Sequence, residues 1–256
     1  MLIWTDTHAH LFDCRGGELE AVVDEAEAAG VWTAVNTAVS IGTARVVLDQ
    51  CGRFPKNLKA AVGISPFDTV EAADNWENEL KELLAGHRSL ITAIGEIGLD
   101  DTNPRYPSIE IQMPFFKRQL EIAIDAGLPA IVHSRGIEKK TAEICRETGV
   151  SKAVFHCFTG DRGSMEYIIE SGYYISISGI ITYKSSHLRD IIQHIPVDRL
   201  LLESDAPYLS PTPQRGKKNK PAFIIHTARE ISELLGTSER ELSDTLKKNA
   251  AAALGF

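Results

Sequence analysis

The feature that most restricts how this chain can fold is the regular alternation of short apolar runs with amphipathic helical stretches. Eight runs have the length and residue types of β-strands: 2–6, 31–37, 58–63, 91–97, 130–133, 153–156, 173–178 and 200–203. Helical patterns include 19–29, 75–84, 109–126, 139–148, 165–170, 224–235 and 239–254. Repeated βα units of this kind indicate a parallel sheet. Eight of them close most readily as a TIM-like (β/α)8 barrel, with the active site at the C-terminal ends of the strands.

An open, doubly wound sheet is the rival fold. It is disfavoured because no GxGxxG sequence follows the first apolar run, and because polar residues are spread over many strand ends instead of one crevice. The chain contains 256 residues and shows no internal repeat, low-complexity segment or flexible linker. We therefore expect residues 1–256 to form a single domain.

Composition narrows the classes of function. No apolar run is long enough to cross a bilayer and the N-terminus lacks an export signal, so we expect a cytoplasmic protein without a membrane partner, monomeric by default. The four cysteines form no CxxC pair, which argues against disulfides and against a thiolate zinc site. A formal net charge of -8 disfavours tight non-specific binding to nucleic acid, so a nucleic-acid substrate requires a local basic patch.

The first apolar run leads into a pattern of metal-binding residue types. Asp6, His8 and His10 follow one another at a period of two, so in an extended strand their side chains project to the same face. Neutral imidazole is the commonest metal ligand in proteins, and a divalent ion is the natural occupant of such a site. The alternative is that these residues are ordinary polar groups at the end of a strand.

Ionisable residues also end four later apolar runs. Glu96 ends the fourth, His133 the fifth, His156 the sixth, and Glu203 and Asp205 the eighth. Each of them alone is compatible with a simple hydrogen bond to a loop. Together, at the same end of a barrel, so many buried ionisable groups would be costly without a cation to compensate them.

The number of potential ligands exceeds what one ion needs. Two divalent ions that share the carboxylate of Glu96 fit the count, and such a pair would activate a water molecule for hydrolysis of an ester. Asp205 could bind one ion and accept the proton of that water. Nitrogen and oxygen ligands favour Zn²⁺, Mn²⁺ or Fe²⁺ over Mg²⁺, although Mg²⁺ could serve in a weaker site.

Six motifs run from the first apolar run to beyond the eighth: DTHAHL, GEIGLD, the stretch 112–116 with Gln119-Leu120 and Leu128-Pro129 after it, HSR, FHCFTG and ESDAPYLSP. With this set, which covers nearly the whole chain, the sequence resembles the TatD family of metal-dependent deoxyribonucleases, within the amidohydrolase superfamily. The resemblance implies a TIM-like barrel and hydrolysis of a phosphodiester, typically in DNA and often from the 3′ end.

The resemblance also implies how the ligands are divided. It places His8, His10, Glu96 and Asp205 on one ion and Glu96, His133 and His156 on the other. Asp6 is expected behind these ligands, where it orients one of them. Glu203 projects to the same side as Asp205, and we expect it either to contact a further ion or water or to remain a buried carboxylate behind the ligands.

The chain departs from the family pattern outside the ligand set. After the eighth strand the family usually carries an arginine followed by an AsnGluPro element, and here residues 214–221 read QRGKKNKP, with Lys220 in place of the acid. Gly136 replaces the acidic residue that commonly follows HSR, and Asp101 replaces an aromatic residue after GEIGLD. These departures concern substrate contacts and specificity.

Two arginines are candidates for contact with a phosphate. Arg135 directly follows a predicted ligand, and its planar guanidinium can grip phosphate oxygens bidentately. Arg215 belongs to the only notable basic cluster, with Lys217, Lys218 and Lys220, which could attract a phosphate. The alternative is that this cluster is an ordinary solvated loop. Phe67, Tyr106 and Tyr208 lie in strand-end loops and could stack on a base, but we expect them to cover a core edge, as loop aromatics more often do.

Three functions of different classes fit these observations. The first is a two-metal phosphodiesterase acting on DNA. The second is a hydrolase of an amide or of an aminoacyl ester, such as a D-aminoacyl-tRNA deacylase, because an activated water does not dictate the bond that it attacks. The third is a non-catalytic metal-binding scaffold. The presence of Asp205 argues against the scaffold, since loss of the proton acceptor would be its expected mark.

Overall fold

A computed structural model of the chain describes residues 2–14 and 16–256, in which eight parallel strands form one sheet in sequence order. The strands are β1 (Trp4–Ala9), β2 (Val31–Thr37), β3 (Leu58–Val62), β4 (Ile91–Asp100), β5 (Ala130–Arg135), β6 (Ala153–Phe155), β7 (Tyr174–Ile177) and β8 (Leu200–Leu202). A parallel bridge between Ala9 and Ala206 brings the end of β1 against the loop after β8. The sheet is a nearly closed barrel, and the predicted (β/α)8 architecture is confirmed.

Helices separate the strands as expected. They are α1 (Gly17–Ala28), α2 (Ile41–Arg53), α3 (Trp76–Gly86), α4 (Ile109–Ala126), α5 (Glu138–Thr148), α6 (Arg162–Glu170), the short α7 (Leu188–Ile191), α8 (Ile224–Leu235) and α9 (Glu239–Leu254). Helices α4, α8 and α9 have the predicted bounds. Among the described residues, no helix has the length and apolar character required to cross a membrane.

Helix α2 was not among the helices named from the sequence. It buries Ala44, Val47, Leu48 and Cys51, a set with the i, i+3, i+4, i+7 spacing of one helix face. Ser40 begins the helix with a capping box, in which its side chain accepts a hydrogen bond from the backbone N–H of Thr43. These two signals together would have identified the helix.

The apolar core has two layers. The larger layer packs the outer face of the strands against the surrounding helices. A smaller cluster takes single residues from successive strands, and so fills the barrel interior: Val35, Ala61, Ala93, Ile131, Val154, Tyr174 and Leu201. Ala253 and Leu254, at the end of α9, pack on this cluster from the N-terminal side of the barrel. The opposite, C-terminal side of the interior is therefore left for polar groups.

The alternation of inward- and outward-facing side chains is interrupted within β4. Ile94 and Ile97 both pack in the outer layer although they are three positions apart, and the pairing of β4 with β5 shifts register between them. This irregularity turns Glu96 toward the barrel interior, since a regular strand that buried Ala93 inside would direct residue 96 outward.

Gly98, in the second half of β4, is a position that a side chain should not tolerate. Its φ is +149°, and a Cβ atom there would lie 1.9 Å from the carbonyl oxygen of His133. We expect Gly98→Ala to lower the free energy of unfolding by about 3 kcal/mol or more, because β5 must move to relieve the overlap. Urea unfolding followed by circular dichroism measures this.

The matched control is Gly86→Ala, at the end of α3, where nothing lies within 4 Å of the Cβ position. This change should leave stability equal or raise it by about 0.5–1 kcal/mol, because alanine restricts the unfolded chain. Equal stability of the two variants would show that β4 and β5 are not held as closely as the structure indicates.

Candidate metal centre

Three side chains bring one donor atom each to a common point, and a fourth, Asp205, lies beside them. His8 Nε2 lies 3.1 Å from His10 Nε2, and these two atoms lie 3.6 and 3.3 Å from Glu96 Oε2. Asp205 Oδ1 lies 3.9 and 3.7 Å from the same two nitrogens. Donor atoms on a tetrahedrally bound Zn²⁺, about 2.1 Å from the ion, are separated by about 3.4 Å. The atoms of His8, His10 and Glu96 thus have the spacing that a single ion requires, whereas the Asp205 oxygen is farther from the two nitrogens and groups with His8 and His156.

The other oxygen of Glu96 belongs to a second group. Glu96 Oε1 lies 2.9 Å from His133 Nδ1 and 3.4 Å from His156 Nε2, and these two ring nitrogens are 3.2 Å apart. All the residues of both groups are buried. One carboxylate therefore presents one oxygen to each of two donor groups, which is the arrangement of a bridging ligand.

Two of the four imidazoles, those of His10 and His133, have a hydrogen-bond partner behind them that fixes which nitrogen faces the centre, and the ring of His156 has a buried carboxylate nearby. His10 Nδ1 donates to the carbonyl oxygen of Thr37 at 3.0 Å, and His133 Nε2 lies 3.0 Å from Asp100 Oδ2. His156 Nδ1 lies 3.4 Å from Glu203 Oε1. Metal-binding histidines characteristically hold their second nitrogen in this way, because the hydrogen bond sets the tautomer and the ring orientation.

Asp100 was missed as a functional candidate, although the motif GEIGLD contains it. The predicted fourth strand ended at residue 97, whereas β4 extends to Asp100 and pairs it with Arg135 on β5. Only with this extension does the carboxylate reach His133. The signal available in the sequence was a second acid four residues after Glu96, on a strand that leads to the same barrel end.

The carboxylates and imidazoles of the centre strongly affect one another's pKa values. Burial opposes ionisation of Glu96, but His156 and the other imidazoles hold the pKa of its carboxyl well below the usual value. Burial likewise opposes a charge on His156, yet Glu96 and Glu203 raise its pKa to about 10. Burial and the neighbouring His156 lower the pKa of His8 to about 3. The ring of His8 stacks on that of His156 at 3.9 Å. Burial also opposes a charge on His10, but Glu96 and Asp205 raise its pKa.

The donor set fits divalent ions. Both carboxylate oxygens of Glu203 and the Nδ1 atoms of His8 and His156 are buried without a hydrogen-bond partner among the described residues. Such groups are costly unless a cation or a water compensates them. Imidazole nitrogens combined with carboxylate oxygens favour Zn²⁺, Mn²⁺ or Fe²⁺ over Mg²⁺. The residues that could hold the ions are therefore those predicted: His8, His10, Glu96, His133, His156 and Asp205.

Asp6 does not project with the two histidines, so the prediction of a common face was wrong for this residue. Its carboxylate accepts hydrogen bonds from the backbone N–H and the hydroxyl of Ser204, at 2.8 and 2.6 Å. The pairing of β1 with β2 shifts register after Asp6, which breaks the period of two. Asp6 also accepts from the backbone N–H of His8 at 3.3 Å, so it holds the backbone on both sides of the centre.

The two arginines that are candidates for contact with a phosphate, Arg135 and Arg215, lie in different parts of the structure. Arg135 ends β5 beside Asp100, two residues after His133. Burial opposes its charge, but neighbouring groups, among them Asp205, Glu203 and Glu96, raise its pKa. Arg215 instead lies over the ring of Tyr183, 4.2 Å from its centroid.

The basic cluster around Arg215 is partly neutralised by helix α1. Lys218 forms an ion pair with Glu18 at 2.7 Å, and Lys220, at the position where the family has an acid, pairs with Glu25. Lys217 donates to the side-chain oxygen of Gln214. Two of the four cations in this loop therefore face carboxylates of α1, which reduces the attraction that the cluster offers a phosphate.

The barrel and the donor groups at the C-terminal ends of its strands define a metal-dependent hydrolase. The sequence profile of the family described as "TatD related DNase" matches residues 5–255, and the chain belongs to this family. The resemblance seen in the motifs is thereby confirmed.

Similar proteins agree with this assignment over the whole chain. An uncharacterised metal-dependent hydrolase, YabD of Bacillus subtilis, is 31% identical over 252 residues, which are 96% of each chain. A protein of Pectobacterium atrosepticum named 3'-5' ssDNA/RNA exonuclease TatD is 31% identical over 241 residues, covering 90% of this chain and 91% of that protein. The crystal structure of YJJV, a TatD homologue from Escherichia coli, superposes with a TM-score of 0.93 at 30% identity, covering 99% and 98% of the two chains.

Removal of the Asp100 carboxylate should weaken metal binding without removing a donor. We expect Asp100→Asn to lower metal affinity about 10- to 100-fold, because the amide nitrogen cannot accept the His133 N–H and the ring loses its fixed orientation. Competition with a chromogenic chelator measures the affinity. Asp101→Asn, at the exposed neighbouring position, is the control, and equal affinities in the two variants would contradict the role of Asp100.

Proposed function

We propose that this protein hydrolyses phosphodiester bonds in DNA, as a two-metal deoxyribonuclease that removes nucleotides from the 3′ end. The observation that carries the proposal is the division of the Glu96 carboxylate, with Oε2 in the group of His8 and His10 and Oε1 in the group of His133 and His156. A pair of divalent ions on a shared carboxylate suits in-line displacement at phosphorus, where attacking and leaving oxygens both need stabilisation. The description of the family and the name of the Pectobacterium relative support the same reaction.

Two divalent ions are the proposed cofactors. His8, His10, Glu96 and Asp205 would hold one, and Glu96, His133 and His156 the other. When bound, the ions supply Lewis acidity to the phosphoryl group and to a water molecule. The hydrogen-bond partners behind His10 and His133 keep the lone pairs of these donor nitrogens directed to the centre, so little reorganisation is needed during the reaction.

Asp205 has the properties of the proton acceptor. Burial raises the pKa of its carboxyl to about 6, closer to neutrality than an exposed aspartate, which is the range in which a general base is efficient. Its backbone N–H donates to the carbonyl oxygen of His8 at 3.0 Å, so the residue is held beside the first donor group. The carboxylate can therefore accept a proton from a water molecule at the centre.

Arg135 is the proposed contact for the substrate phosphate. Its Nη1 donates to the carbonyl oxygen of Ser134, which directs the guanidinium from the end of β5. The remaining N–H groups can donate to non-bridging phosphate oxygens. Since the charges at the centre raise its pKa, the side chain stays cationic throughout the pH range in which the enzyme would work.

Digestion of end-labelled single-stranded DNA tests the function directly. Metal-stripped protein restored with Mn²⁺, Zn²⁺ or Mg²⁺ should produce a ladder that shortens from the 3′ end. Asp205→Asn should lower kcat by a factor of about 10² to 10⁴, because the amide cannot accept the proton. Asp198→Asn, an exposed aspartate just before β8, should keep the full rate.

Absence of cleavage with every ion, in folded protein that demonstrably binds metal, would refute the nuclease. The same preparations should then be assayed with a D-aminoacyl-tRNA and with simple amides. Release of the amino acid in place of nucleotides would establish the alternative hydrolase. If the protein bound metal and showed none of these activities, the non-catalytic metal-binding scaffold would be the remaining function.

A second prediction concerns the phosphate contact. Arg135→Lys should lower kcat/KM for DNA about 10- to 100-fold, because an ammonium cannot donate bidentately and a charged hydrogen bond contributes about 1.5–3 kcal/mol. Steady-state kinetics on a defined oligonucleotide measures the loss. Arg162→Lys, in an exposed pair with Glu166, is the matched control, and an equal kcat/KM in both variants would exclude Arg135 from substrate binding.

A further inference from the structure

The two rings of Phe67 and Tyr106 form an aromatic pair beside the second donor group. Their centroids are 4.2 Å apart with the ring planes inclined at 48°, and the ring of Phe67 also meets that of His133 edge to face at 5.0 Å. Phe67 follows β3 and Tyr106 follows β4, so two separate loops contribute to one aromatic surface. This surface borders the imidazole of a proposed metal ligand.

The aromatic pair does not have the structural role expected from the sequence. Neither Phe67 nor Tyr106 is among the described residues that pack into or against the two core clusters, so the pair does not cover a core edge. The side chain of Tyr106 has a relative exposure of 36%, and its hydroxyl has no hydrogen-bond partner among the described residues. Within the part of the chain that the structure describes, Phe67 makes ring contacts with Tyr106 and His133 alone.

We propose that the aromatic pair, Phe67 and Tyr106, is a platform on which a nucleobase of the substrate stacks while its phosphate lies at the metal centre. This inference rests on the proposed nuclease function and adds the residues that would bind a nucleobase of any kind. Stacking on an aromatic surface is tolerant of sequence because every base has a π-face. It also suits an acidic protein whose basic loop is partly neutralised, since stacking supplies affinity that does not depend on net charge.

The position of the pair relative to the charges supports this assignment. The edge contact between Phe67 and His133 fixes the platform within one side chain of Glu96, the shared carboxylate. On the opposite side of the centre, the ring of Tyr208 lies 6.0 Å from that of His10 and has a relative exposure of 56%. A nucleotide chain crossing the centre would thus meet an aromatic ring on each side of the reacting phosphate.

A binding experiment separates the platform from the chemistry. The metal-loaded protein carrying Asp205→Asn is titrated into a single-stranded oligonucleotide with 2-aminopurine at either of the two 3′-terminal positions. We expect the fluorescence of this base to be quenched at one position, because stacking on an aromatic ring quenches it. In protein that carries Phe67→Leu and Tyr106→Leu together with Asp205→Asn, the quenching should be lost and the Kd for the oligonucleotide should rise about tenfold.

Three controls make the result specific. Tyr106→Leu alone should lose part of the quenching, and it avoids any change next to His133. Trp32→Leu removes a similarly exposed aromatic, 37% accessible, near the opposite end of the barrel, and should not alter the quenching. Equal metal content in all variants, measured by atomic emission, excludes loss of the ions as the cause.

The outcomes distinguish this inference from the proposed function. Quenching that is absent, or unchanged by the leucine substitutions, overturns the platform even if the unsubstituted protein cleaves DNA. Quenching that requires the aromatic pair establishes the platform, even if Asp205-containing protein cleaves no phosphodiester. A final comparison measures kcat/KM on two oligonucleotides, one with normal and one with abasic 3′ nucleotides. The value for the normal oligonucleotide divided by the value for the abasic one should be about ten for the unsubstituted protein and should approach one for the doubly substituted variant.

Discussion

A single buried carboxylate, that of Glu96, is the group on which the functional end of this molecule depends. An isolated charge in such a place would be prohibitively costly, and here it is compensated by four imidazoles that approach its two oxygens from different sides. Because each imidazole comes from the end of β1, β5 or β6, and β1 lies across the barrel from β5 and β6, the charge can be compensated only when the sheet curves round and brings these strand ends together. The electrostatics of one side chain thus require the architecture of the whole barrel.

The same constraint explains why polar contacts join the first and last strands. Apart from one parallel bridge, β1 and β8 are linked through side chains, with Thr7 Oγ1 donating to the carbonyl of Leu202 and Ser204 donating to Asp6. Asn219 donates to the carbonyls of Ser204 and Tyr208 and so fixes the loop that carries Asp205. The contacts that close the barrel are therefore the same contacts that position Asp205, the proposed proton acceptor.

The sequence predicted the barrel well because strand composition and helix periodicity are local properties. It also brought together the correct strand ends, since the carboxyl ends of parallel strands meet at one face. What it could not predict depends on neighbouring strands. The register shifts that turn Asp6 away from the centre and Glu96 into it are set by pairing with β2 and β5. The role of Asp100 depends on how far β4 continues beside β5, and the extent of that ladder is a tertiary property.

The linkage of Asp6 to Ser204 has a consequence for how the protein is made. The two residues are 198 positions apart in the chain. At roughly 5–20 residues per second on a ribosome, they are synthesised roughly 10 to 40 s apart. During that interval His8 and His10 are present without Asp205 and without the contacts that hold their backbone. The complete set of candidate donors exists only after the last strand has left the ribosome, so an ion that requires all of them could be bound only by the completed barrel.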